Sequence, residues 1–155
     1  MKLATQRLVI HASADHVFDH LVDPELFGQW MAEGATLDAV AGGVVSWTHP
    51  NGDTVSGRFV EIDRPRRLVF TYGWERAEVQ IPPGSTTVEV DLTAQDDGTT
   101  VVTLVHHGLE DRAADAHSGG WAHYLERLRR TATGAPPGPD PWADRRVPTP
   151  EELKQ

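Results

Sequence analysis

Four side chains in this sequence could do hydrogen-bond or acid–base chemistry from within apolar surroundings: His49, Tyr72, His106 and Tyr124. Each has bulky apolar residues at the spacing that shares its face. Trp47 stands two before His49, Phe70 and Trp74 flank Tyr72, Leu104 stands two before His106, and Trp121 and Leu128 share a helical stripe with Tyr124. Polar groups of this kind can orient a bound molecule, and burial moves their pKa values toward useful proton exchange. The plainer reading is that the aromatic residues fill a small core and each histidine is satisfied by one hydrogen bond. Of the four, His106 is expected to face a ligand, and its neighbour His107 to point outward, because successive strand residues face opposite ways.

Other chemistries have less behind them. The chain has no cysteine, which excludes thiolate nucleophiles, disulfides and zinc–thiolate sites. His16 and His20 are four apart on a helical stretch, a spacing that can hold a metal, but no motif supplies a third ligand, and a solvated helix face is expected. No metal and no cofactor is expected. There is no G-x-S-x-G elbow; Ser118, beside Gly119-Gly120, reads as a cap or helix irregularity, and Gly42-Gly43 as a sharp turn into a strand rather than a phosphate loop. His106, His49 or Glu61 could serve acid–base catalysis without any motif to support it, so no residue is assigned a catalytic role.

Composition narrows the partners. Fourteen Lys and Arg against 23 Asp and Glu leave a net charge of −9, which argues against nucleic acid or an anionic membrane surface. No apolar run approaches the roughly 18 residues of a membrane span, and the start has no signal-peptide core, so no membrane insertion is expected and a cytoplasmic location is. At 155 residues the chain can bury a proper core.

The elements that must position these residues follow from periodicity. Leu3 to His11 reads as a first strand; Ser13 caps a helix carrying Val17, Phe18 and Leu21; Asp23-Pro24 ends it and opens a short second helix with Phe27 and Trp30. From Ala35 the period becomes two, with tight-turn signals at Pro50-Asn51-Gly52-Asp53 and Asp97-Gly98, which predicts an antiparallel meander of six strands. Next comes the longest amphipathic stretch, with His117, Trp121, Tyr124, Leu125 and Leu128 on one stripe, and Glu126 placed to pair with Arg130. Gly119-Gly120 imply either that this helix starts near Ser118 or that it passes close to the sheet. Beyond Gly134 six prolines exclude regular structure, leaving a disordered tail or an arm docked through Trp142, with Thr149, Pro150 and Glu152 signing one final helical turn.

One strand, two short helices, six strands and a long C-terminal helix describe an α+β helix-grip fold, like that of START and birch-pollen-allergen proteins. It is a curved antiparallel sheet of about seven strands around the helix. Trp30, Gly42-Gly43, Gly57 with Glu61-Ile62, Arg67-Leu68-Val69-Phe70, His106 with Gly108-Leu109, and Gly120-Trp121 with Leu125 and Leu128 occur in an order that resembles the activator of heat-shock protein 90 ATPase homologue (AHSA1-like) family, START-like/SRPBCC superfamily. The resemblance implies a domain at 1–133 followed by a Pro-rich tail at 134–155. It also implies a cavity between sheet and helix that binds a small hydrophobic molecule through Trp47, His49, Phe59, Phe70, Tyr72, Trp74, His106, Trp121 and Tyr124. A homodimer is compatible with it. Two alternatives share the scaffold: an enzyme of polyketide cyclase, aromatase or hydrolase type, and a chaperone-linked or stress-response interaction protein. The stretch before Thr5 leaves no room for the N-terminal domain of the eukaryotic chaperone activators, so direct ATPase activation is not expected.

Overall fold

The computed structural model describes residues 1–154. Its elements are β1 (Lys2–Ile10), α1 (Ala14–Val22), α2 (Pro24–Gly28), β2 (Thr36–Leu37), β3 (Val44–Thr48), β4 (Thr54–Asp63), β5 (Arg67–Tyr72), a 3₁₀ turn (Ala77–Val79), β6 (Thr86–Ala94), β7 (Thr100–Leu109), α3 (Asp111–Ala132) and α4 (Pro150–Leu153). The seven strands form one sheet in the order β1-β7-β6-β5-β4-β3-β2, every neighbouring pair antiparallel. This is the helix-grip fold expected from the order of elements, with α3 lying along the concave face.

Local signals account for the elements. The Ser13 side chain accepts the His16 N–H at 3.1 Å and caps α1. Asp23 ends α1 and caps α2, its carboxylate accepting the N–H groups of Glu25 at 2.9 Å and Leu26 at 3.3 Å, with Pro24 in the first turn where its missing N–H costs nothing. In β4, Gly57 lies so close to β5 that a Cβ would stand 1.8 Å from the Thr71 carbonyl oxygen. Any side chain there would push the two strands apart, just before the register shift between Phe59 and Glu61 that bends the sheet.

The strand residues on the concave face are buried in turn: Val45 and Trp47, Phe59, Leu68 with Phe70 and Tyr72, Val88 with Val90 and Leu92, then Val102, Leu104 and His106. Trp121, Leu125 and Leu128 of α3 pack against them. The helix departs from expectation in two ways. It begins at Asp111, so Gly119 and Gly120 are interior, yet a Cβ at either would meet nothing within 4 Å. Close packing on the sheet is therefore not what the glycines allow. Glu126 pairs with Arg129, one residue nearer than Arg130.

Two indole–imidazole hydrogen bonds tie α3 to the sheet. The Trp121 Nε1–H donates to His106 Nδ1 on β7 at 3.1 Å. His106 then donates from Nε2 to Thr86 Oγ1 at 2.8 Å, whose hydroxyl donates to the Tyr72 carbonyl at 2.7 Å. In the opposite sense, Trp74 just beyond β5 donates from Nε1 to His117 Nε2 on α3 at 3.1 Å, and His117 Nδ1 donates to the Ala113 carbonyl at 2.8 Å. An indole N–H can only donate, so each receiving nitrogen carries no proton and both histidines are neutral. Burial, with the nearby His117 and His107, pushes His106 down to about 3. Burial also lowers His117, against the opposing pull of the Ala113 carbonyl.

The sign of the pH dependence follows. In the unfolded chain both histidines take up protons below their ordinary value near 6.5, while in the fold they stay neutral, so stability is complete above that pH and declines as pH falls from about 6.5 toward 3. His106 alone should remove about 1.4 kcal/mol per pH unit within that window. Urea titrations at pH 7.5 and pH 5 should differ accordingly, and equal stability at both would refute the neutral assignment. Gly119→Ala should stabilise α3 by about 0.5–1 kcal/mol, read as a higher melting temperature, because the position is helical and open.

Candidate functional site

One end of the concave face is left unfilled. A cavity of about 310 Å³ lies between the β3–β4 hairpin, the end of β5, the middle of α3 and the segment that follows α3. That volume is at the small end of the range of small-molecule sites. Gly119 and Gly120 form part of its wall, and a Cβ at either would meet nothing within 4 Å.

Six of the nine residues expected to bind a ligand are brought together here: Trp47, His49, Tyr72, Trp74, Trp121 and Tyr124. Phe59, Phe70 and His106 do not line it. Phe59 and Phe70 are paired across β4 and β5, ring centroids 6.4 Å apart, within the filled core. His106 is on the expected face but is fully buried, one ring nitrogen receiving Trp121 and the other engaged with Thr86. Its polarity is used to hold Trp121, so neither ring nitrogen is left free toward the cavity.

Of the four polar groups singled out in the sequence, His49 and Tyr72 line the cavity with a polar atom left unpaired. Trp47 donates its indole N–H to His49 Nε2 at 3.2 Å, which leaves the proton on Nδ1. Burial lowers the His49 pKa and outweighs the opposing fields of Asp140 and Asp53, so the ring is neutral near pH 7. Tyr72 is 4% exposed, and burial, followed by the neighbouring Tyr124, raises its pKa and keeps the phenol protonated. Neither the Tyr72 hydroxyl nor His49 Nδ1 has a hydrogen-bond partner among the described residues. Thr131 Oγ1 is the single side-chain polar atom among them that is both sealed from solvent and unpaired, so neither of these two groups is sealed, and both residues line the cavity. Both rings lie against Trp74, at 5.8 Å for Tyr72 and 6.0 Å for His49 between centroids.

The outer wall is the Pro-rich segment after α3. Trp142 stacks on His123 of α3, rings 3.9 Å apart and 4° from parallel, with the Arg145 guanidinium 4.0 Å above its other side. Asp140 accepts from the Tyr124 hydroxyl at 2.7 Å, His123 Nε2 at 2.8 Å and the Trp142 N–H at 2.8 Å. Burial acts to raise the Asp140 pKa, but these bonds prevail and hold it below the usual carboxylate range. The second clasp is Asp53, 1% exposed, at the end of the β3–β4 turn. It accepts from Arg76 Nε at 2.8 Å, Arg76 Nη2 at 3.3 Å, Arg146 Nη2 at 3.2 Å and the Val147 N–H at 2.9 Å. Here too burial pulls the pKa up, and the hydrogen bonds from Arg76 and Val147 with the Arg76 charge bring it below normal. Asn51 donates to the Arg145 carbonyl at 3.1 Å, completing the seam. The segment ends in α4, capped by the reciprocal Thr149–Glu152 pair.

The lining thus includes Asn51, Asp53 and residues 145–148, none of which sequence reasoning placed there. The glycine pair inside a helix was the one available signal. Among the described residues no group of three or more His, Cys, Asp and Glu could hold a metal ion, and no helix is long and apolar enough to cross a membrane.

With this geometry in view, comparison with known proteins is informative about descent. DynU16, from the dynemicin biosynthetic locus, is 19% identical with a TM-score of 0.76 over 88% of this chain and 49% of its own, so the present chain spans about half its length. CalU16 from Micromonospora echinospora is 23% identical (TM-score 0.70; 88% of this chain, 77% of that one). Aha1 from Colwellia psychrerythraea, described as a dimer in solution, is 17% identical (TM-score 0.72; 87% of this chain, 98% of that one). At these identities the likeness is one of fold. No curated protein matches the sequence. The family model described as "Activator of Hsp90 ATPase homolog 1-like protein" matches residues 11–133, most of the sheet and all of α3, and the chain belongs to that family.

Proposed function

We propose that this protein binds a small hydrophobic molecule in the cavity between the sheet and α3, with the Pro-rich segment as its outer wall. The observation that carries the reading is the aromatic lining: indole, phenol and imidazole rings surround about 310 Å³, and two of the lining residues, His49 and Tyr72, keep a polar atom without a partner among the described residues. A cavity of that character loses dispersion contacts while empty and regains them when a ring-bearing molecule fills it. Gly119 and Gly120 support the same reading, since helix stability is forgone where side chains would occupy the space.

Any reaction on the bound molecule would have to run through His49 or Tyr72. The ring nitrogens of His106 and His117 are all occupied by protein groups, so neither can exchange a proton with a ligand without breaking the bonds that seat α3.

Titration with the uncharged probe 1-N-phenylnaphthylamine should give saturable binding with one equivalent, visible by native mass spectrometry and as quenching of the indoles that line the site. Gly120→Leu should retain the fold and weaken that binding about ten-fold or more by placing a side chain in the cavity. No saturable binding by the wild-type chain, or undiminished binding by the leucine variant, would refute the reading. Separately, Asp53→Ala should release the outer wall, because Arg76 and Arg146 would lose their shared carboxylate. Trypsin should then cut after Arg145 or Arg146 several-fold faster than in the wild type, while the unfolding midpoint of the remainder changes far less.

A further inference from the structure

Resting on that binding reading, we propose that the molecule taken is uncharged and carries a hydrogen-bond acceptor oxygen on a flat ring body, the oxygen lying between the Tyr72 hydroxyl and the His49 Nδ1–H. The first support is the direction of the available hydrogens. Because Trp47 occupies His49 Nε2, the ring offers its other nitrogen only as a donor. Tyr72 has a hydrogen to give and no protein acceptor to receive it. Two unpaired donors on residues that line one cavity, each residue more than nine-tenths buried, are met by a lone-pair oxygen and left unmet by a hydrocarbon.

The second support is the state of every charge around the site. Asp53 is saturated by Arg76, Arg146 and the Val147 N–H, and Asp140 by Tyr124, His123 and Trp142. Asp115 at the rim is paired with Lys2 at 2.7 Å in solvent, and the exposed Arg145 guanidinium lies on the Trp142 ring. Among the described residues that line the site, no buried cation is therefore free to receive a ligand carboxylate, and no buried carboxylate is free to receive an ammonium. A ligand anion would also meet the fields of Asp53 and Asp140, which are close enough to act on His49. Burying an unpaired charge is far costlier than burying a carbonyl that finds two donors. The third support is shape: Trp47, Trp74, Trp121 and Tyr124 present ring faces and edges, which suits an offset or edge-on stack with a planar body.

Three naphthalenes of nearly equal size separate the possibilities: 2-acetylnaphthalene with a neutral acceptor, 2-ethylnaphthalene with none, and 2-naphthoate with an anion. Isothermal titration calorimetry of the whole chain at pH 7.5 should find the ketone about ten-fold or more tighter than the ethyl compound and likewise tighter than the naphthoate. Tyr72→Phe should collapse the ketone-to-ethyl ratio several-fold. Equal affinity for ketone and ethyl compound, naphthoate as the tightest of the three, or a ratio untouched by Tyr72→Phe would each overturn this assignment while leaving hydrophobic binding intact. Binding of none of the three would overturn the binding reading, and this inference with it.

Discussion

A buried indole N–H has one hydrogen to give and must give it to something: Trp30 gives its own to the His20 carbonyl, while Trp47, Trp74 and Trp121 each give theirs to an imidazole. Trp121 donates to His106 and Trp74 to His117, so the helix and the sheet each contribute one donor and one acceptor to the joint. Apolar packing alone does not fix where a helix stops along a concave sheet, because it has no direction. Two oriented hydrogen bonds do. They hold the middle of α3 at a set distance from β5 and β7, and the cavity is the space that remains beyond them. The arrangement works only while the imidazoles are neutral, which burial ensures.

From that joint outward, the molecule alternates between filled and unfilled. The β4–β7 part of the concave face is packed solid by Phe59, Phe70, Leu104 and their neighbours. The hairpin end is held open by glycines on α3 and by a wall that comes from elsewhere in the chain. That wall attaches through carboxylates and single side chains, Trp142 stacked on His123 and Val147 against the core, since a Pro-rich segment cannot form the regular helix or strand that would present a continuous apolar face. Asp53 and Asp140 each gather several donors, which places the cost of burying two negative charges against a set of short, directed bonds.

The fold was legible because its signals are local. Alternation at period two, turn residues at Pro50-Asn51-Gly52-Asp53 and Asp97-Gly98, and caps at Ser13, Asp23 and Thr149 each depend on a few adjacent residues. The site was legible only in part. Alternation says which side of the sheet a residue faces and nothing about how far along the strand the core is filled, so Tyr72 and Phe70, two residues apart on one face, could not be separated. His106 shows the same limit, since it has the right face and a helix residue covering it. Asp53 was hidden more deeply: in sequence it completes a tight turn, and its partners Arg146 and Val147 lie more than ninety residues away. Long-range pairing of a single carboxylate leaves no periodic trace.

The order in which the clasp residues are synthesised adds a consequence. Asp53, Arg76, His123 and Tyr124 all precede Asp140 and Val147 in the chain. During translation, then, the sheet and α3 are complete before their outer wall has been made, and everything that forms the indole–imidazole joint is already present. The nascent domain can fold with its cavity open to the surroundings, and the later-made residues of the wall turn an open groove into an enclosed one.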